Sequence, residues 1–328
     1  MQPVSPECWK TAHRVQARRG LCLLGQYELI QEIGHGSMGV VWQARDLFAD
    51  RKVCIKLLPQ DRPVRESDAL QMKESFRLTH RLQHQHLCPH IQFAIDAQAG
   101  PFLVMKYFSG PSLLAILQTS QQAGQVLSLS EVLRVLAPIA DGLDYLHLQG
   151  LVHRDIKPGN IVVGRRPRDV QLIDFGLVEK FRLLAPVDRQ IGGTVHYLAP
   201  EVWSGESAAP ESDQYALATV IYELLAGHRP FAQSKSATEL MLKVQHEAVP
   251  EIARLSPELN AVLQKALAKD PQARYSSCRA LVKALRATLD PLRDATELPA
   301  LLSEDTILIQ DSETPRLETA SHSAVQVG

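Results

Sequence analysis

The chain has 328 residues, 45% hydrophobic and 22% charged, with 35 Lys and Arg against 36 Asp and Glu and a formal net charge of −1. That length can enclose a sizeable core in one large domain or two small ones, and the near-neutral balance gives no electrostatic footprint for nucleic acid or an acidic membrane surface. Cys8, Cys22, Cys54, Cys88 and Cys278 are scattered without a CxxC pair, which fits unpaired thiols in a reducing compartment better than a disulfide framework.

Residues 1–25 read as a short basic extension containing Pro3 and Pro6, without a core of its own. Lys10, Arg14, Arg18 and Arg19 interrupt it before any apolar run long enough for a secretory signal. No stretch approaches the roughly 18 apolar residues that cross a bilayer, so no membrane insertion is expected and the expected location is cytoplasmic.

From Tyr27 the chain reads as strand, glycine turn, strand: YELIQEI, GHGSMG, then VVWQA. Lys52–Leu58 is apolar and β-branched between Asp50 and Pro59, another strand; residues 66–82 have helical spacing, and Phe102–Tyr107 returns to strand. Beyond Gly110 the pattern turns helical. Ser130–Gln149 carries apolar residues at 132, 133, 136, 139, 140, 143 and 146, with Ser130 and Glu131 expected to open the helix. Residues 212–227, 256–268 and 276–289 repeat that spacing, and the run Ala216–Leu225 suits a buried helix. Strands first and helices second argue for an α+β fold in two lobes rather than alternating βαβ units. After about Leu292 the composition becomes acidic and polar, so 291–328 reads as a disordered tail. Its Thr306, Ser312, Thr314 and Thr319 read as solvated linker residues.

Three patterns carry chemistry. Gly34-His35-Gly36-Ser37-Met38-Gly39, followed by Val40 and Val41, lies between two strands, where glycines let backbone N–H groups approach phosphates. Because the glycines lead into a strand and not a helix, a dinucleotide-binding turn is disfavoured. Lys56 ends the apolar strand Val53-Cys54-Ile55, where burial is costly without an anion. The most specific pattern is His153-Arg154-Asp155-Ile156-Lys157-Pro158-Gly159-Asn160, followed at fixed separation by Asp174-Phe175-Gly176 and Ala199-Pro200-Glu201.

With these motifs in this order, residues 26–290 resemble a eukaryotic-like Ser/Thr protein kinase of the kind also found in bacteria. The resemblance implies an antiparallel-sheet N-lobe with one helix over about 26–105 and a mainly helical C-lobe over about 106–290. It also implies ATP and Mg²⁺ as cofactors and protein substrates with Ser/Thr acceptors. By similarity, Gly34, His35, Gly36, Ser37, Met38 and Gly39 would cover the phosphates, Val41 would pack on the adenine, and Lys56 would bind the α- and β-phosphates. Asp155 would accept the proton of the attacking hydroxyl, or at least aim it, Lys157 would neutralise charge on the transferring phosphoryl group, and Asn160 and Asp174 would hold the metal. Adenine would meet the backbone near Lys106–Phe108, with Met105 at the gatekeeper position. Lys157 and the pair Gly193-Thr194 resemble the Ser/Thr class rather than tyrosine kinases. Asp213 resembles the prop of the catalytic loop, and Arg274 the partner of Glu201.

Two features depart from the family. The glutamate that pairs with the strand lysine is displaced: Ser75 occupies its slot and Glu74 sits one place early, a rotation of about 100° on a helix. The expectation is that Glu74 still reaches Lys56; Glu66, or no ion pair, are the alternatives. Secondly, Leu177–Gly193 contains no Ser, Thr or Tyr, so activity is expected without activation-loop phosphorylation, with Asp188 or Glu179 as candidate partners for Arg154. A pseudokinase scaffold that binds nucleotide is the rival that the displaced glutamate leaves open. His80, His84, His86 and His90 with Cys88 match no compact zinc spacing and are expected to pack rather than bind metal.

Overall fold

The computed structural model describes residues 15–36, 39–58, 66–164, 166, 169–174 and 193–289. Period-two alternation in the first hundred residues produces a six-stranded antiparallel sheet. Its strands are β1 (Cys22–Leu23), β2 (Tyr27–Gly36), β3 (Gly39–Asp46), β4 (Arg51–Leu57), β5 (His90–Asp96) and β6 (Gly100–Lys106), in the order β1-β2-β3-β4-β6-β5. Alternation gives the sheet two faces. Val40, Trp42, Ala44, Val53, Ile55, Leu57, Phe102 and Val104 form a cluster on one side. Leu103 and Met105 face the other way and join the core of the second lobe.

Part of the basic N-terminal extension packs on this sheet. Leu23 is fully buried in β1, the Val15 amide donates to the Gln98 carbonyl at 3.1 Å, and Ala17 and Leu21 pack on the sheet cluster. Apolar residues within the basic extension thus belong to the first lobe.

Helix α1 (Glu66–Thr79) crosses the inner face of the sheet. Its buried stripe, Ala69, Met72, Ser75 and Thr79, follows the helical repeat. The second lobe contains α2 (Leu113–Gln122), α3 (Leu129–Leu148), α4 (Pro200–Trp203), α5 (Pro210–Ala226), α6 (Ala237–His246), α7 (Pro257–Ala266) and α8 (Cys278–Arg286). A two-stranded ladder of β7 (Ile161–Val163) and β8 (Val170–Leu172) lies at its top. The expected cap of α3 moves by two residues: Ser128 is the N-cap, and Glu131 accepts the Ser128 amide at 2.9 Å to complete a capping box. The S-x-x-E spacing satisfies two orphan amide donors reciprocally, which Ser130 cannot do. Helix α5 is buried on nearly every side, as its apolar run implied, and packs on α3 and α7.

Candidate active site

The first lobe presents one wall of a cleft. Cross-strand register pairs Gly34 with Val41, His35 with Val40, Gly36 with Gly39, and Val41 with Lys56. Directly paired residues share a sheet face, so Val41 and Lys56 stand side by side. Gly39 has φ +129°, and a Cβ there would run into the Leu57 carbonyl oxygen, so only glycine lets β3 approach the end of β4 this closely. Ser37 and Met38 lie outside the described residues. His35 is exposed, with Nδ1 3.4 Å from Glu32 Oε1. Met105 is buried opposite Cys54 in the β4–β6 ladder. Burial pushes the Cys54 thiol up to about 12, opposed by the Phe108 backbone amide, so it is a packed thiol and not a nucleophile.

The opposite wall is a loop held from beneath by α5. Asp213, buried near the start of α5, accepts the backbone amides of His153 (2.7 Å) and Arg154 (2.8 Å). Its Oδ2 also lies 2.8 Å from His147 Nε2 at the end of α3. These bonds hold Arg154 at φ +69°, a left-handed conformation that costs a non-glycine residue free energy. Asp155 follows, with its side chain buried. Lys157 Nζ donates to Asp155 Oδ1 at 3.0 Å and Oδ2 at 2.8 Å. Asn160 Nδ2 donates to the Asp155 carbonyl and Oδ2, both at 2.8 Å. The Ile173 amide donates to the Asn160 carbonyl at 2.8 Å, tying the next segment to this loop.

Asp174 closes the arrangement. It too has a positive φ, +58°, and its carboxylate accepts Lys56 Nζ at 2.5 and 2.7 Å. Burial alone would raise its pKa, but the Lys56 ammonium overrides this, helped by Lys157 and His153, and holds the carboxyl below its usual range. Asp174 is therefore an anion at neutral pH. Asn160 directs its amide hydrogens to Asp155, which leaves its side-chain carbonyl oxygen as the ligand atom. One carboxylate and one amide oxygen are hard donors of the sort Mg²⁺ takes alongside water and phosphate oxygens, so the residues present fit that ion.

The structure thus brings Lys56 to Asp174 and gathers Lys157 and Asn160 on Asp155. It does not bring Glu74 to Lys56. Glu74 keeps 53% of its side chain exposed and pairs with Arg77 at 2.6 Å, on the face of α1 turned away from the sheet. The rotation of one helical position is not recovered by overwinding; Ser75 takes the inward place and is buried. The side chains of Glu66 and Thr194, and residues Phe175, Gly176, Glu179 and Asp188, lie outside what is described.

Below the loop, Arg274 and Glu201 form a buried fork, Nη1 to Oε1 at 2.9 Å and Nη2 to Oε2 at 2.8 Å. The four neighbouring histidines take separate partners. His80 Nδ1 contacts the Arg77 and Phe76 carbonyls, His84 Nε2 meets Asp141, His86 Nδ1 contacts the Val170 carbonyl, and His90 Nδ1 meets Thr79. His147 escaped the sequence reading. Its only signal was its place in the last turn of α3, six residues before His153.

Comparison with known proteins follows the same lines. A family model described as protein kinase domain matches residues 27–285. The Ser/Thr-protein kinase PknA of Mycobacterium tuberculosis is 32% identical over 266 residues, covering 79% of this chain and 60% of that protein. The Ser/Thr-protein kinase PknB of Mycolicibacterium smegmatis is 32% identical over 271 residues, covering 78% of this chain and 41% of that protein. The chain therefore spans 60% or less of the length of these relatives. Among solved structures, the Mycobacterium tuberculosis PknI kinase domain superposes with a TM-score of 0.64 at 26% identity, covering 84% of this chain and 100% of that one.

Proposed function

This chain belongs to the protein kinase family, and we propose on that footing that it is an active Ser/Thr kinase, moving the ATP γ-phosphoryl group to Ser and Thr hydroxyls of protein substrates in a cytoplasmic signalling role. The observation that carries the reading is the shared network: Lys157 and Asn160 both bond the Asp155 carboxylate, while Lys56 bonds Asp174 across the cleft. Phosphoryl transfer asks mainly for positioning and charge stabilisation, and this site is made of lysines, carboxylates and an amide.

Asp155 orients the attacking hydroxyl and accepts its proton. Lys157, already beside Asp155, balances charge on the phosphoryl group as it moves. Lys56 holds the α- and β-phosphates while Gly34, Gly36 and Gly39 let backbone N–H groups cover the triphosphate, with His35, Ser37 and Met38 in the same turn. Val41 packs on the adenine, and the backbone at Lys106–Phe108 bonds its edge. Asn160 and Asp174 would hold Mg²⁺, which supplies charge neutralisation between the phosphates. The catalytic unit extends over about 26–290, joined by the packed residues 15–23, with the acidic tail outside it. Among the described residues no helix is long and apolar enough to cross a membrane.

Activity does not wait on activation-loop phosphorylation, because Leu177–Gly193 holds no hydroxyl acceptor. Two measurements test the reading. Incubation with γ-labelled ATP and a mixed protein substrate, followed by acid hydrolysis, is expected to yield phosphoserine and phosphothreonine without phosphotyrosine. Phosphatase treatment is expected to leave kcat within twofold, and a requirement for phosphorylated Thr194 would remove the idea of constitutive activity.

A further inference from the structure

Among the described side chains no carboxylate of α1 is bonded to Lys56, which is paired with Asp174 instead, and this raises the question of what fixes that helix against the site. Its buried stripe ends in Thr79, whose Oγ1 lies 2.7 Å from the Ser75 carbonyl and 2.6 Å from His90 Nδ1. Thr79, Ser75 and His90 are all buried. A hydroxyl has one proton and two lone pairs. Because Thr79 donates to Ser75, its oxygen accepts from His90, which assigns the ring proton to Nδ1. The contact joins α1 to the first residue of β5, and β5 places His90 opposite Met105.

His90 also sits within reach of the site's charges. Burial depresses it to about 4; Asp174 opposes the shift, while Lys56 and His153 add to it. It is neutral at physiological pH and stands behind the Lys56–Asp174 pair. We infer that Thr79 and His90 are positioning residues for phosphoryl transfer, fixing α1 and β5 behind Lys56 and Asp174 by a neutral buried hydrogen bond in the role a lysine–glutamate pair would otherwise fill. This rests on the proposed kinase activity. A neutral bond has a consequence an ion pair lacks: α1 is held without drawing Lys56 away from Asp174, to which it is bonded among the described residues.

The test uses the full chain with Thr79→Val, Thr79→Ser, His90→Leu and the double variant Thr79→Val/His90→Leu. Thr79→Val leaves a buried ring donor without its acceptor, whereas the double variant removes both partners. Each disruptive single is expected to lower kcat about tenfold with the KM for ATP within about twofold. Thr79→Ser is expected to restore kcat, and the double variant to be no worse than either single. Amide hydrogen exchange across residues 68–82 supplies a readout independent of activity, expected to quicken in both singles and not in Thr79→Ser. Singles whose effects multiply in the double variant, or a Thr79→Val variant with unchanged kcat and exchange, would overturn the inference. If the wild-type chain transferred no phosphate, the kinase reading would fall. Exchange would then decide the pairing, with unchanged α1 protection in Thr79→Val counting against it.

Discussion

Replacing Asp213 by Asn should uncouple the catalytic loop from α5. The loop holds Arg154 at φ +69°, a conformation costing roughly 1–3 kcal/mol. Against this stand two charge-assisted bonds from the His153 and Arg154 amides to Asp213, at 2.7 and 2.8 Å, together contributing about 3–6 kcal/mol. Asparagine keeps one acceptor oxygen, now uncharged, and turns an NH₂ group toward the other amide, leaving one neutral bond of about 0.5–1.5 kcal/mol, at or below the strain. The loop should then lose its single conformation, and kcat should fall about 10- to 100-fold, equivalent to roughly 1.4–2.7 kcal/mol. The KM for ATP should stay within threefold, since the glycine turn and Lys56 belong to the other lobe. Steady-state kinetics with labelled ATP, alongside thermal unfolding, measure both quantities. A variant whose kcat stays within twofold of wild type while its stability drops would refute the reasoning, because Asp213 would then support the fold and not the loop.

Removal of the Arg274 guanidinium, wholly buried and forked onto Glu201, should destabilise the chain by about 3–5 kcal/mol through the uncompensated carboxylate left behind; urea unfolding of Arg274→Ala checks this. Stability should also fall on mild acidification. Burial holds His90 and His196 to about 4 in the folded chain, against about 6.5 unfolded. The unfolded state therefore takes up protons first, and the stability present above pH 6.5 is lost as pH drops toward 4. At pH 5 the two together cost about 4 kcal/mol, read as a drop in urea midpoint between pH 7 and pH 5 that His196→Leu reduces. His153 shifts in the same direction, also through burial.

What could be read in advance depended on whether spacing or packing decided it. The residues of the catalytic loop, the Asp174 segment, Asp213 and Arg274 carry chemistry that tolerates few residue types at fixed separations, so their positions were legible. The glycine turn was legible because its three glycines separate two runs that read as strands, YELIQEI and VVWQA. Helix α1 was legible as a helix but its facing was not, because its residues fit two registers that differ by one position, and the burial of Ser75 with the Glu74–Arg77 pair on the outside settles the matter only in three dimensions. The Thr79–His90 bond joins residues 11 apart on different elements, and neither residue type announces a partner. The Ser128 cap was visible as an S-x-x-E pattern but was displaced by the neighbouring Ser130. Burial of Leu23 in a two-residue strand left no periodic trace.

The most direct test of the site is phosphate transfer by the purified chain at saturating ATP, wild type against Asp155→Asn, with nucleotide binding followed in parallel. Loss of transfer by at least about 100-fold in a variant that still binds ATP is expected, given the usual contribution of a positioned base. Equal transfer by both chains, or none by the wild type, would contradict a phosphoryl-transfer centre built on Asp155.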